Sequence, residues 1–101
     1  MVRLNNFSKR LEKRERDWYY RWKVFVDEPV EELARIESVE YTLHPTFPQP
    51  HQVRNNRQEK FALETSGWGE FTMMATFHFT DGSKEKVPYW LDLSKGWPEG
   101  D

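Results

Sequence analysis

The chain has no cysteine among its 101 residues, which excludes a disulfide framework and a cysteine-ligated metal site. That fits a reducing compartment. It has no run of about 18 apolar residues, the length a membrane-spanning helix needs. Residues 1–16 show no apolar leader stretch, so no secretory signal is expected. Apolar content is low, 37% hydrophobic against 32% charged. The net charge of −2 argues against a dedicated nucleic-acid binder. His44, His51 and His78 lack zinc spacing, so no metal is expected. No phosphate loop or hydrolase elbow is present, and His44 has no nucleophile at a motif spacing. The chain is therefore read as non-enzymatic and free of cofactors.

What the chain does have is rings: five Trp, four Tyr and seven Phe. A chain of this length forms one domain and buries about two thirds of the surface it exposes unfolded. Aromatic side chains bury much area each, so a small core can be built with few aliphatics. So many rings also point to a pocket lined by some of them.

Charge is segregated. Residues 1–16 carry Arg3, Lys9, Arg10, Lys13, Arg14 and Arg16 against Glu12 and Glu15, a balance of +4. Residues 27–40 carry Asp27, Glu28, Glu31, Glu32, Glu37 and Glu40 against Arg35, a balance of −5. Two solvated faces account for this, and so does an acidic surface that attracts a basic peptide.

Periodicity supplies the elements. Residues 1–16 fit a short amphipathic helix or an irregular arm equally well. Trp18, Tyr20, Trp22, Val24 and Val26 alternate with polar or outward residues, predicting a strand that Pro29 stops. One helical turn is expected over Glu31 to Ile36. Val39, Tyr41 and Leu43 alternate with Glu40, Thr42 and His44, another strand. Residues 48–58 read as a polar loop. A short strand at Phe61 and Leu63 leads to Ser66-Gly67-Trp68-Gly69-Glu70-Phe71, where two glycines permit positive φ and close backbone approach. The longest alternation runs from Phe71 to Phe79. Asp81-Gly82 signals a two-residue hairpin turn. In the return strand Pro88 predicts an edge position.

About six short strands with little helix argue an all-β fold, an immunoglobulin-like β-sandwich of antiparallel strands. The expected organisation is an N-terminal arm or short helix over 1–17, the sandwich over 18–93 and a disordered tail over 94–101.

One stretch organises the rest. Tyr41-Thr42-Leu43-His44-Pro45-Thr46-Phe47-Pro48-Gln49-Pro50 starts as a strand and ends as a stiff turn, because three prolines in six positions remove donors and fix φ. An imidazole, a hydroxyl and a phenyl ring sit at that corner, on His44, Thr46 and Phe47. A rigid loop at a strand end suits recognition. Each has a plainer reading. Phe47 could plug the sandwich, His44 could be a hydrogen-bonded turn residue, and Thr46 could bond its own backbone.

The His44-Pro45-Thr46-Phe47 piece followed by Gly67-Trp68-Gly69-Glu70-Phe71, in this order and about twenty residues apart, resembles the YEATS domain family. The likeness runs from about Trp22 to Leu93. The Val39-Glu40-Tyr41-Thr42-Leu43-His44 spelling looks most like the prokaryotic branch. The resemblance implies an immunoglobulin-like sandwich that reads acylated lysine, acetyl or crotonyl, between two loops at one end. It implies that Phe47 and Trp68 are the rings flanking the acyl-amide, that the Thr46 hydroxyl bonds the amide, and that the Trp68 backbone N–H meets the acyl carbonyl. His44, Gly67, Gly69 and Phe71 would complete the pocket, and Trp18 is a candidate for a further wall. The implied partner is an acylated-lysine peptide, a histone tail in a eukaryotic source and another protein in a prokaryotic one. No direct nucleic acid, no membrane and a monomer are expected. The implied location is cytoplasmic, or nuclear in a eukaryote. The rival reading is an interaction module of a bacterial signalling or defence system that keeps the sandwich without acyl-lysine binding.

The chemistry of such a pocket stands without the family. An acyl-lysine amide is planar and neutral, so two parallel rings make a matched slot, each ring pair adding about 0.5–1.5 kcal/mol beyond area burial. Its N–H and C=O need partners once buried, or each costs about 1–3 kcal/mol. An unmodified lysine would carry its charge into that slot without a counter-ion.

Overall fold

The computed structural model describes residues 2–14, 17–67 and 69–98. Seven antiparallel strands form two sheets. Strands β1 (Leu4–Arg14), β2 (Asp17–Val26) and β5 (Leu63–Gly67) make one, in the order β1-β2-β5. Strands β3 (Ile36–Thr42), β4 (His51–Arg54), β6 (Thr72–Phe79) and β7 (Lys84–Trp90) make the other, in the order β4-β3-β6-β7. A four-residue helix, α1 (Val30–Leu33), links β2 to β3. The expected all-β sandwich is the observed fold.

The core is where the alternations put it. Trp22, Val24 and Val26 of β2 face Val39 and Tyr41 of β3 and Met73, Ala75 and Phe77 of β6, all buried. Ile36 and Val39 both face inward although three residues apart. A register shift between Ile36 and Ser38 makes this possible, since a bulge adds one residue and restores the inward face. The Tyr41 hydroxyl donates to the Phe61 carbonyl at 2.7 Å, tying the two sheets. Lys60 and Phe61 both adopt φ of 57°, and this reversal delivers the Phe61 ring to the core. Arg57 donates to the carbonyls of Leu33 (3.0 Å) and Ile36 (2.8 Å), fixing the end of α1 and the start of β3. Pro88 lies on β7, an edge strand, where its missing N–H costs no ladder bond.

Several expectations are corrected. The N-terminal segment is neither arm nor helix: β1 pairs with β2 from Leu4 opposite Val26 to Arg14 opposite Asp17. Its buried face is polar, so alternation of apolar residues never showed it. Asn6 is fully buried, its amide Nδ2 donating to the Asp92 carbonyl (2.9 Å) and its Oδ1 accepting from the Tyr89 hydroxyl and the Asp92 N–H. Ser8 Oγ donates to the Leu93 carbonyl at 2.7 Å. Of the disordered tail expected over 94–101, residues 94–98 are instead held against β1, and 99–101 lie outside the described residues. Ser8 N–H donates to the Lys95 carbonyl (2.8 Å) and Trp97 N–H to the Ser8 carbonyl (2.9 Å). The ammonium groups of Lys9 and Lys23 then lie 4.9 and 5.4 Å from the Trp97 ring centre. The polar loop 48–58 contains β4 and runs into a 3-10 turn, Arg57–Glu59; with β1, this makes seven strands among the described residues where about six were expected. The β6–β7 connection is one residue longer than a two-residue turn. Gly82 N–H donates to the Phe79 carbonyl and Phe79 N–H to the Ser83 carbonyl, with Gly82 at φ 89° as the bulge residue.

Candidate functional site

Two loops meet at the end of the sandwich where β3 finishes. The first leaves β3 at Leu43, whose N–H donates to the Pro50 carbonyl at 2.7 Å and so closes the loop at its base. Inside it, Phe47 N–H donates to the His44 carbonyl (3.0 Å), a tight turn over His44-Pro45-Thr46-Phe47. The second joins β5 to β6 through Gly69, Glu70 and Phe71. Glu70 Oε2 accepts the Leu93 N–H at 2.8 Å, and the Phe71 carbonyl accepts the Leu91 N–H at 2.9 Å, which moors this loop to the chain leaving β7.

The turn fixes a chemical state. His44 Nδ1 accepts the Thr46 backbone N–H at 3.2 Å and lies 2.9 Å from Thr46 Oγ1. A nitrogen that accepts from a backbone N–H carries no proton, so Nε2 holds the ring proton. The Thr46 hydroxyl is then the donor to Nδ1, and its oxygen keeps lone pairs that can accept. A histidine and a threonine two residues apart thereby make one oriented acceptor.

Behind this acceptor stands an aromatic cluster. Phe47 and Phe71 have ring centres 5.4 Å apart at 51°. Trp22, fully buried, meets Phe47 edge-on at 6.3 Å and 84°, and Phe71 at 6.0 Å and 65°. His44 stacks edgewise on Phe71 at 6.4 Å. Gly67 lies under Phe47: a Cβ there would sit 3.5 Å from Phe47 Cζ and 3.8 Å from Trp22 Nε1, ordinary contact distances. Its φ is not positive either, so neither space nor backbone conformation demands glycine at this position.

A cavity of about 470 Å³ opens between the loops. Of the expected residues, His44, Thr46, Phe47, Gly67, Gly69 and Phe71 all line it. Trp68 lies outside the described residues. Trp18 is not in the lining: its ring is covered by the Arg10 guanidinium at 4.5 Å, while its neighbour Tyr19 lines the cavity instead. Sequence reasoning also missed Pro48, Ser66 and Glu70. The signal for Tyr19 and Ser66 lay in pairing: Tyr20 stands opposite Gly67 and Arg21 opposite Ser66, which brings the start of β2 beside the second loop. Alternation within one strand carries no such information.

The family model for the prokaryotic YEATS domain matches residues 20–92. The Protein AF-9 homolog of Kluyveromyces lactis is 36% identical over 74 residues, 71% of this chain and 33% of that protein. The Saccharomyces cerevisiae AF-9 homolog is 37% identical over 68 residues, 65% of this chain and 29% of that protein. The chain thus spans about a third of the length of these relatives. A solved structure of the Yaf9 YEATS domain superposes with a TM-score of 0.72 at 23% identity, covering 92% of this chain and 74% of that one. The Yaf9 domain bound to H3K27ac gives 0.71 at 22% identity, covering 92% and 76%. The Yaf9 domain recognising an H3K122suc peptide also gives 0.71 at 22%, covering 92% and 77%. At these identities the structural likeness speaks for the fold.

Proposed function

This chain belongs to the YEATS family, in its prokaryotic branch, and from that premise we propose that it is a non-enzymatic module that binds acylated lysine in a peptide. The observation that carries the reading is the His44–Thr46 pair at the mouth of the cavity. With its proton given to Nδ1, the Thr46 oxygen accepts the side-chain amide N–H of an acyl-lysine. Phe47 supplies a flat wall for the amide plane, backed by Trp22 and Phe71 so that it cannot swing away. Trp68 is proposed as the facing wall and its backbone N–H as the donor to the acyl carbonyl. Thr46 oxygen and a backbone N–H are the two partners that a buried secondary amide requires.

Discrimination against unmodified lysine follows from charge. An ammonium would exchange water for rings and a hydroxyl. Glu70, the one carboxylate among the described lining residues, is already engaged by the Leu93 N–H. The Yaf9 YEATS domain binds acylated histone peptides, H3K27ac and H3K122suc, which supports the acyl-lysine class. In a prokaryotic cytoplasm the modified partner would be a protein other than a histone. An open cavity beside Phe47 favours this reading over a sandwich that keeps the fold but has no slot.

The test is a titration with unmodified, acetylated and crotonylated lysine peptides, followed by tryptophan fluorescence and NMR shifts, with Phe47→Ala and Trp68→Ala alongside. Acyl-dependent binding lost in both variants is the expected result. A folded protein that responds to no acyl peptide overturns the proposal and returns the chain to the class of sandwich interaction modules.

A further inference from the structure

The net charge of −2 hides a cationic face. In the β1-β2-β5 sheet, Phe7 stands opposite Lys23 and Lys23 opposite Glu64. Asn5 stands opposite Phe25, Lys9 opposite Arg21, and Arg21 opposite Ser66. Directly paired residues share a face, so these side chains all project outward from the sandwich. Lys60 joins them, its ammonium 5.9 Å from the Phe25 ring centre. So does Lys95, which donates to Asn5 Oδ1 at 2.7 Å. Among the described residues, Glu59 and Glu64 stand beside Lys23 and Lys60, Asp92 lies near Lys95, and Asp27 follows just past the end of β2. Arg21 and Glu64 pair with each other at 2.9 Å. Among the described residues no carboxylate pairs with Lys9, Lys23 or Lys60. Lys9 and Lys23 are instead held over the Trp97 ring, which leaves their charge unneutralised.

The acids of residues 27–37 are at the other pole. They lie between the end of β2 and the start of β3, whereas the acyl cavity lies beside the start of β2 and past the end of β3. An acidic surface meant to hold a basic peptide at the cavity is therefore not what the fold builds.

The cationic face has a shape as well as a sign. A groove of about 450 Å³ runs in it, lined by Phe7 and Phe25, whose rings are 5.0 Å apart, together with Lys23, Lys60, Glu59 and Glu64. It shares no lining residue with the acyl cavity but lies along the same sheet. Ser66 and Tyr19 line that cavity, and Ser66 pairs with Arg21 on the cationic face. From Tyr19 to Phe25 is six strand positions, about 20 Å at 3.3 Å per residue, which an extended peptide of about six residues spans. Glu70, the rim carboxylate, is turned to Leu93 on the β7 side.

We infer that the outer face of the β1-β2-β5 sheet holds the peptide flanking the acyl-lysine, and that this flank is acidic within about six residues of the modified lysine. The inference rests on the acyl-lysine reading of the cavity. Acidic side chains meet Lys23, Lys9 and Lys60, and an apolar or aromatic residue of the flank occupies the Phe7–Phe25 groove. Each well-placed acid is worth about two- to fivefold in affinity, the range of exposed ion pairs, and less at high salt.

The experiment is a titration of the full chain with one acyl-lysine peptide in three versions, with acidic, neutral and basic flanks. An unacylated acidic peptide and a single-stranded oligonucleotide serve as further arms. The expected order is acidic, then neutral, then basic, with the differences shrinking as salt rises. Lys60→Glu and, separately, Lys23→Gln should narrow the acidic-over-neutral gap. Acyl-dependent binding that ignores the flank, or prefers the basic one, overturns the inference and leaves the acyl-lysine reading standing. If no acyl peptide binds, that reading has failed. Binding of the unacylated acidic peptide, weakened by Lys60→Glu, then still supports an acidic-peptide face. Binding of the oligonucleotide alone, or of neither, overturns it.

Discussion

Replacing Thr46 with valine removes one oxygen and almost no volume. Thr46 is exposed and its backbone N–H still reaches His44 Nδ1, so the turn keeps its bond. The free protein should therefore change in stability by no more than about 0.5 kcal/mol. The bound state is where the hydroxyl counts. Enclosed beside Phe47, the ligand amide N–H would lose water and find no acceptor, a penalty of about 1–3 kcal/mol. That converts to roughly 5- to 150-fold weaker binding of an acyl peptide. Thr46→Ser keeps the oxygen and should stay within a few-fold of the parent. His44→Ala frees the hydroxyl to rotate, so its loss should fall between the two. Calorimetric titration of the three variants with one acetyl-lysine peptide, with thermal melts to verify folding, measures the order. Full affinity in Thr46→Val, in a protein where Phe47→Ala abolishes binding, would show that the hydroxyl only buttresses the turn.

Three further expectations concern the scaffold. Asn6→Leu strands the Asp92 carbonyl, the Asp92 N–H and the Tyr89 hydroxyl, so urea unfolding should register a loss of about 2–4 kcal/mol; a neutral result would mean that β1 contributes little to the fold. Lys60→Gly relieves a side chain held at φ 57° and should raise stability by about 0.5–1 kcal/mol, whereas a drop would show that the lysine stem over Phe25 outweighs the strain. Burial pushes the Tyr89 hydroxyl up to about 12 and raises Tyr41 further, again chiefly by burial. The unfolded chain gives up these protons near pH 10 while the folded chain keeps them. Stability is thus intact below about pH 10 and declines as pH climbs toward 12, and an ultraviolet titration in parallel with circular dichroism should show both tyrosines ionising only as the fold is lost.

The strands that alternate apolar and polar residues were legible because one of their faces meets the core. Trp22-Lys23-Val24, Val39-Glu40-Tyr41 and Met73-Met74-Ala75 announce themselves this way, and the first and last residue of each triplet is buried. β1 stayed hidden for the opposite reason. Its inward positions are Asn6 and Ser8, satisfied by the chain leaving β7 some 85 residues later, and no local pattern encodes a partner that distant. β4 is four residues long with Val53 pointing to solvent, too short and too exposed for periodicity to register. The same distinction sorts the site. His44, Thr46, Phe47, Gly67, Gly69 and Phe71 were readable because each belongs to a compact motif on one loop. Tyr19 was not, because its place at the cavity depends on how β2 registers against β5.

Missing β1 also conceals the electrostatics. Taken as a free arm, the basic N-terminus is a tether with no defined face, and the acidic stretch at 27–40 looks like the surface that would meet a ligand. Once β1 is paired, Lys9 is locked onto the same face as Lys23, and Asn6 and Ser8 anchor the strand so that this face is rigid. The acids of residues 27–37 sit at the far pole, because β2 and β3 run between the two ends of the sandwich. A ligand entering the cavity beside Tyr19 therefore approaches the cationic sheet and not the acidic turn. Preference for an acidic flank is thus a consequence of strand pairing that composition could not have revealed. It ties the identity of the partner to two buried polar residues, Asn6 and Ser8, that touch neither ligand nor cavity.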